Sequence, residues 1–441
     1  MNRFHRRHFL KTMAFGTGAA GLPAFSLLMG GALPLHGEES RTKDVCDLDF
    51  PPVGYGNSLE EVERTIQEVI EKLFRDPSGL MRSGVNGKTM KPYTPEDVTD
   101  RKFGVGSSWE NASIPREYKN IANNFENCHE TNGRYLCGLV DKYKVTGDAA
   151  VLELARRTVD AERRLWEEAG KVHRYGLGWM PKPYAAMEKL AAMDECSVDQ
   201  YSDLTAGLEK YYHELATEEE REVLRGMFLS FADWWIDHNY TTSYFGRTVW
   251  WDRVHDLAQS YFLYLFTLAY HLSPRRKYRD AFHYIFEKAE PVLSLRPKQE
   301  AILHFPQLGG LTISSLARMT ALDPSLKAFG HRCIRNYTPE LIRSVDNPKA
   351  YQATSAPFAA KFLTDAHQAL QDDALLDTIA GILGRTTKRT DFYRIKRGIP
   401  LNKIPPNHAI DGYRDAFWGE SMVCWFSAYW YVRRHRPVTG K

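Results

Sequence analysis

None of the six cysteines of this 441-residue chain, Cys46, Cys128, Cys137, Cys196, Cys333 and Cys424, forms a C-x-x-C pair. That argues against a cysteine-built zinc site or redox motif. Cys128 and Cys137 fall on different faces of one straight helix and read as packed thiols. The sequence shows no glycine-rich phosphate loop, no β-hairpin signal and no regular strand–helix alternation, which removes the nucleotide-binding α/β classes. His129-Glu130 lacks the second histidine of a zinc-protease helix. No spacing demands a metal, and no cofactor is expected.

What is present begins with a targeting segment. Arg6-Arg7-His8-Phe9-Leu10-Lys11 is a twin-arginine signature, and a Gly/Ala-rich apolar run continues from Met13 to Leu35. Its glycines and Pro23 favour a cleaved signal over a membrane span. Residues 1–37 are therefore read as an export signal, and the mature protein as periplasmic or secreted. The export machinery is its one expected protein partner, with no stable membrane insertion after cleavage. Removing the segment's four basic residues from the 58 leaves 54 against 55 acidic residues, with no basic block. Neither nucleic acid nor a charged membrane surface is an expected partner.

Residues 38–57 are polar and rich in proline and glycine, a lead-in to the fold. Ser58 caps a helix that runs to Phe74. Residues 76–122 form a long irregular excursion, and loops of that length are usually functional. From there the chain repeats one design. A polar cluster opens a small-residue-rich helix, and a more charged amphipathic helix follows. The clusters are Glu126–Arg134, Asp194–Asp203, Trp250–Asp256, His304–Gly310, Tyr351–Ser355 and Asp411–Glu420. They recur at intervals of about 50 to 70 residues with little identity, a structural repeat.

This pattern resembles the six-hairpin (α/α)6 toroid of secreted glycan-processing enzymes. The resemblance implies an all-α fold, one domain over 58–441, with inner helices ringing a central cleft and their N-terminal ends lining the active site. Tyr143-Lys144-Val145-Thr146-Gly147-Asp148 looks like the inner-to-outer turn of such proteins. Asp199-Gln200-Tyr201, followed by Gly207-Leu208, is similar to the acid-plus-aromatic segment of unsaturated glucuronyl and rhamnogalacturonyl hydrolases. That likeness implies Asp199 as a proton donor. The residues following it do not repeat those families' methionine-containing pattern.

Glycoside hydrolysis needs a carboxylic acid at the leaving oxygen and commonly a second carboxylate. Asp199, Asp252 and Asp415 are the candidates, with Glu130, Asp203, Asp256 and Asp411 beside them. Arg134, Arg253 and Arg414 each sit among acids, either as internal ion pairs or as clamps on a uronate or sulfate. An acidic glycan is the expected substrate. A lyase alternative would use a base among His129, His255, His304, His408 and Tyr201, with Asn127 or Arg134 neutralising the uronate. His255 and His304 are further candidate contacts. Trp179, Trp250, Trp251 and Trp418 are candidate sugar-stacking rings, because a pyranose face is apolar and its rim is hydroxyl. Trp234-Trp235 lies in a charged helix and reads as core. A glycan-binding protein without chemistry is the remaining class. Helix caps share the composition of these clusters, and Asp199 or Ser202 can cap the helix that follows.

The apolar run belongs to export in this reading and contributes nothing to the core. A chain starting at Glu38 should therefore be soluble, predominantly helical by circular dichroism, and melt cooperatively. Aggregation or a non-cooperative melt would count against it.

Overall fold

The computed structural model describes residues 58–86, 91–96, 121–172, 176–183, 196–244, 247–254, 256–295, 306–345, 352–386 and 416–436. The expected signal, the lead-in, most of the 76–122 excursion, and His255, His304, His408, Asp411, Arg414 and Asp415 lie outside the described residues, as does the side chain of Trp418.

Twelve α-helices make up the described body. They run in chain order as α1 (Leu59–Val69), α2 (Cys128–Thr146), α3 (Ala149–Lys171), α4 (Val198–Glu214), α5 (Glu218–Asp237), α6 (Leu257–Leu272), α7 (Arg276–Leu293), α8 (Pro306–Leu322), α9 (Lys327–Ser344), α10 (Gln352–Leu370), α11 (Ala374–Thr386) and α12 (Glu420–His435). The even-numbered helices pack in sequence, and α12 returns to α2, so they close an inner ring. The odd-numbered helices lie outside it. This is an (α/α)6 toroid. Among the described residues no helix is long and apolar enough to cross a membrane.

Composition separates the two layers. Helix α6 buries every residue from Leu257 to Ala269, because it has neighbours on all sides. Helix α7 buries only Tyr278, Ala281, Ile285, Ala289 and Leu293, a single stripe. The turns between layers are set locally. Gly147 closes α2 in the left-handed region (φ 65°), and the Asp148 side chain accepts from Ala150 N to start α3. Thr217 and Glu220 form a reciprocal capping box at the head of α5.

The ring is tightest where α2 crosses α4. A Cβ on Gly133 would overlap the carbonyl oxygen of Asp203, and one on Gly207 would overlap the carbonyl oxygen of Gly133. Only glycine allows the two backbones to touch there. Ring closure is laced by β1 (Gly84–Asn86), whose antiparallel partner, Ala416–Trp418, directly precedes α12. Gly419 N donates to Ser83 O at 2.9 Å, and Asn127 N to Ser83 Oγ at 3.0 Å.

Two expectations need correcting. A β-hairpin is present: β2 (Thr241–Tyr244) pairs antiparallel with β3 (Arg247–Trp250), and Ala416–Trp418 becomes β4. Neither Asp199 nor Ser202 caps α4. Its N-cap is Ser197, with no side-chain cap bond, and Asp199 is already inside the first turn.

Two glycines give opposite tests of the close crossing. Gly133→Ala should destabilise by about 1–3 kcal/mol through overpacking. Gly381 is exposed in the middle of α11, and a Cβ there would meet nothing within 4 Å. Gly381→Ala should stabilise by about 0.5–1 kcal/mol. Urea midpoints measure both, and an unchanged midpoint for Gly133→Ala would remove the crossing as a constraint.

Candidate active site

The starts of α2, α4, α8 and α12 bring their polar side chains together at one end of the ring. The organiser is Arg134, fully buried one turn into α2. Its Nε donates to Asp203 Oδ2 of α4 at 2.7 Å, and Nη2 lies 2.5 Å from the same oxygen. Nη2 also donates to Glu130 Oε2 at 2.6 Å. Nη1 makes no hydrogen bond and lies 4.0 Å from Glu420 Oε2 at the head of α12. The guanidinium sits 4.6 Å from the Phe358 ring centroid of α10.

Amides complete the set. Gln200 Nε2 donates to Glu130 Oε1 at 3.1 Å and to Asn127 Oδ1 at 3.0 Å. Asn127 Nδ2 donates to Glu420 Oε1 at 2.6 Å. Gln307 Nε2 of α8 donates to Glu130 Oε2 at 2.6 Å. Asp199 is half-buried beside them, and its charge acts on both Glu130 and Glu420.

One cation here faces three buried carboxyl groups. Burial holds Glu130 well above its usual range; Arg134 opposes this, and Asp199, Glu420 and Asp203 reinforce it. Burial likewise raises Asp203 and Glu420 against the pull of Arg134. Burial disfavours the Arg134 charge, but Asp203 and Glu130 outweigh it and hold that group well above its usual value. Burying two uncompensated negative charges is costly, and taking up a proton is the cheaper state. Glu420 is the acid farthest from the arginine.

Deeper in the ring the balance is even. Arg318 Nη1 donates to Glu209 Oε2 at 2.7 Å, and Lys361 Nζ to Asp365 Oδ2 at 2.7 Å. Burial works against the Asp365 charge, yet Lys361 and Arg318 hold that carboxyl below its usual range. Two cations meet two acids there. The excess of acid is confined to the end where the inner helices begin.

Of the residues singled out from sequence, Glu130, Arg134, Asp199 and Asp203 come together here. His129 does not. It is fully buried, with Nδ1 at 2.8 Å from Glu162 Oε2 and Nε2 at 3.1 Å from Pro181 O. Both partners accept, so both ring nitrogens carry hydrogen. Burial alone would lower its pKa, but Cys128 and Glu162 raise it well above the usual value. An imidazolium held this way has no lone pair for the base role. Tyr201 is buried too, its hydroxyl donating to Gly178 O at 2.8 Å and accepting from Met180 N at 2.9 Å. Trp179 packs on Trp234 with centroids 4.7 Å apart. These side chains shape the segment 176–183, not the acid cluster. Asp252 is buried against α7, accepting from Lys288 Nζ at 2.6 Å and Tyr284 OH at 2.8 Å. Trp250 and Arg253 are exposed on the hairpin side.

Sequence reading assigned no role to Glu420, Gln200 or Gln307. Each lies in the first turn of an inner helix, and that position was the available signal. Among the described residues no three His, Cys, Asp or Glu side chains are grouped as a metal would require.

No protein-family model and no curated protein matches this sequence. Several solved structures are similar to it. A sugar epimerase from a ruminal bacterium matches with a TM-score of 0.44 and 12% identity, over 84% of this chain and 98% of that one. Glycosyl hydrolase family 88 from Bacteroides vulgatus matches with a TM-score of 0.41 and 12% identity, over 69% of this chain and 91% of that one.

The charge imbalance makes a sign-specific prediction. Glu130, Asp203 and Glu420 have folded-state pKa values above their unfolded ones, so the folded cluster binds more protons in that window. The associated stability is complete below the unfolded carboxylate range and is lost as pH rises through the folded values. Glu420→Gln should therefore melt higher than the parent protein at pH 8, with the gap narrowing toward pH 5. A lower melting temperature at pH 8 would contradict the imbalance.

Proposed function

We propose that this protein is an exported carbohydrate-active enzyme, a glycoside hydrolase acting on an acidic, uronate-containing oligo- or polysaccharide. The observation that carries the reading is the carboxyl surplus around Arg134 at the start of the inner helices. Hydrolysis needs a carboxyl group that still holds its proton near neutrality, beside a second carboxyl that can meet water or the anomeric carbon.

Glu420 is the better donor than Asp199. Its Oε1 is held by Asn127, while Oε2 lies beyond hydrogen-bond range of Arg134. In this mechanism Glu420 passes its proton to the glycosidic oxygen as the bond to the anomeric carbon breaks. Asp199, the least buried of the four acids, supports the developing positive charge and activates water or attacks directly. Arg134 and Gln200 position Glu130 and Asp203 and reach no substrate. Of the base candidates for the lyase alternative, His129 and Tyr201 are committed to internal partners. Export through the twin-arginine route, to the periplasm or beyond, is part of the same proposal and rests on Arg6-Arg7 alone.

Purified protein should be screened against uronic-acid oligosaccharides, following new reducing ends and the absorbance of 4,5-unsaturated ends. Reducing ends without new absorbance are expected, and consumption of absorbance would identify an unsaturated-glycan hydrolase. Glu420→Gln and Asp199→Asn should each lower turnover by roughly 10²–10⁴, with little change in KM. The rate should fall as pH rises through the raised pKa of the Glu420 carboxyl. A gain in absorbance would mean a lyase, and binding with no product would mean a glycan-binding protein.

A further inference from the structure

The β2–β3 hairpin joins the outer end of α5 to the start of α6, so it stands at the rim of the end that holds the acid cluster. It is fixed from several sides. Trp251 is buried beneath it, with its backbone N donating to Tyr240 O at 2.8 Å and Nε1 to Thr242 Oγ1 at 2.6 Å. Thr242 Oγ1 in turn donates to Cys196 O at 3.2 Å, three residues before Asp199. Lys182 lies 5.7 Å from the Tyr244 ring centroid and pairs with Glu126 at 3.1 Å, on the approach to α2. Beyond the hairpin, Asp252 is clamped by Lys288 and Tyr284, and its carbonyl accepts from Gln259 Nε2 at 3.1 Å.

On this immobile base Trp250 is 47% exposed, and it ends strand β3 opposite Thr241. The Arg253 guanidinium lies 5.3 Å from its ring centroid. Arg253 is exposed, and among the described residues the Trp250 ring is its partner. Tryptophan is a costly residue to leave in water, and of the described tryptophans Trp250 is the exposed one. A flat ring with a guanidinium over it that makes no ion pair among the described residues suits a ligand with one apolar face and one anionic edge. A pyranose bearing a carboxylate has that shape and charge.

We infer that Trp250 and Arg253 form a distal subsite for an anionic sugar residue, which makes the protein selective for chain length and for charge. The sugar face lies on the Trp250 ring, and its carboxylate meets Arg253. This rests on the hydrolase reading for what happens at the acid cluster, but the subsite itself is a matter of binding.

The test uses the mature protein carrying Asp199→Asn, titrated calorimetrically with di- and tetrasaccharides of glucuronate, galacturonate and mannuronate and with neutral tetrasaccharides. Sulfated tetrasaccharides distinguish a carboxylate from a sulfate ester as the anion. At least one uronate series should bind more tightly as tetrasaccharide than as disaccharide. Trp250→Ala should weaken the tetrasaccharide about tenfold, the scale of losing one buried aromatic anchor, and flatten the length dependence. Trp250→Phe should restore part of it. Arg253→Gln should remove the preference for uronate over neutral chains, and that preference in the parent should shrink with added salt. Length dependence that survives Trp250→Ala, or no binding by any series, would overturn the subsite. Cleavage with a KM indifferent to Trp250 would sink the subsite and leave the hydrolase standing. Binding that depends on Trp250 without cleavage would do the reverse.

Discussion

The arrangement depends on a guanidinium with too many partners. Arg134 reaches acids on α2, α4 and α12 at once. It does so because its neighbour Gly133 lets α4 lie directly on α2. The close helix crossing and the ion pair are one device: the backbone contact brings Asp203 within reach, and the charge holds the crossing shut. A buried ion pair is weak evidence of stability on its own account. Here its effect is positional, fixing which side chains point into the end of the ring.

The two ionic layers along the axis divide the work. The Arg318, Lys361, Glu209 and Asp365 set is balanced, and it fills the ring interior with paired charges. The layer above it is short of positive charge, and burial together with that shortage raises its carboxyl groups above their usual range. A further cation near Glu420 would make the fold safer and the acid useless. Stability and the proposed chemistry therefore pull in opposite directions at one residue.

Much of the architecture was legible in the sequence, because apolar periodicity and turn chemistry act locally. Gly147-Asp148 and the Thr217/Glu220 pair mark layer changes without any knowledge of the ring. Glu130 and Arg134 lie four apart, and their shared face follows from helix geometry alone. The hairpin was less visible, although Thr241–Tyr244 and Arg247–Trp250 are β-branched and aromatic and flank a two-residue Phe245-Gly246 link. Its turn lacks the Asn-Gly or Asp-Gly pair that usually announces one. The roles of His129 and Tyr201 were hidden for another reason. A polar or aromatic residue at a helix start looks the same whether it faces the ring axis or the layer outside. Only packing decides, as when Glu162 of α3 claims His129.

Ring closure also bears on how the chain folds. Trp430 Nε1 of α12 donates to Glu63 Oε1 of α1 at 2.9 Å, across 367 positions of sequence. Asn127 meets Glu420 across 293. Until the last helix is made, α2 has an open flank where Phe426 belongs, and Arg134 lacks its third acid. The ring is then an unclosed arc with an exposed apolar edge, and contacts of such long range are slow to form. The same closure brings the first and last helices side by side. Joining them and opening the chain at another turn between hairpins would preserve every inner-helix neighbour, so the order of synthesis could be rotated around the ring while its geometry stayed the same.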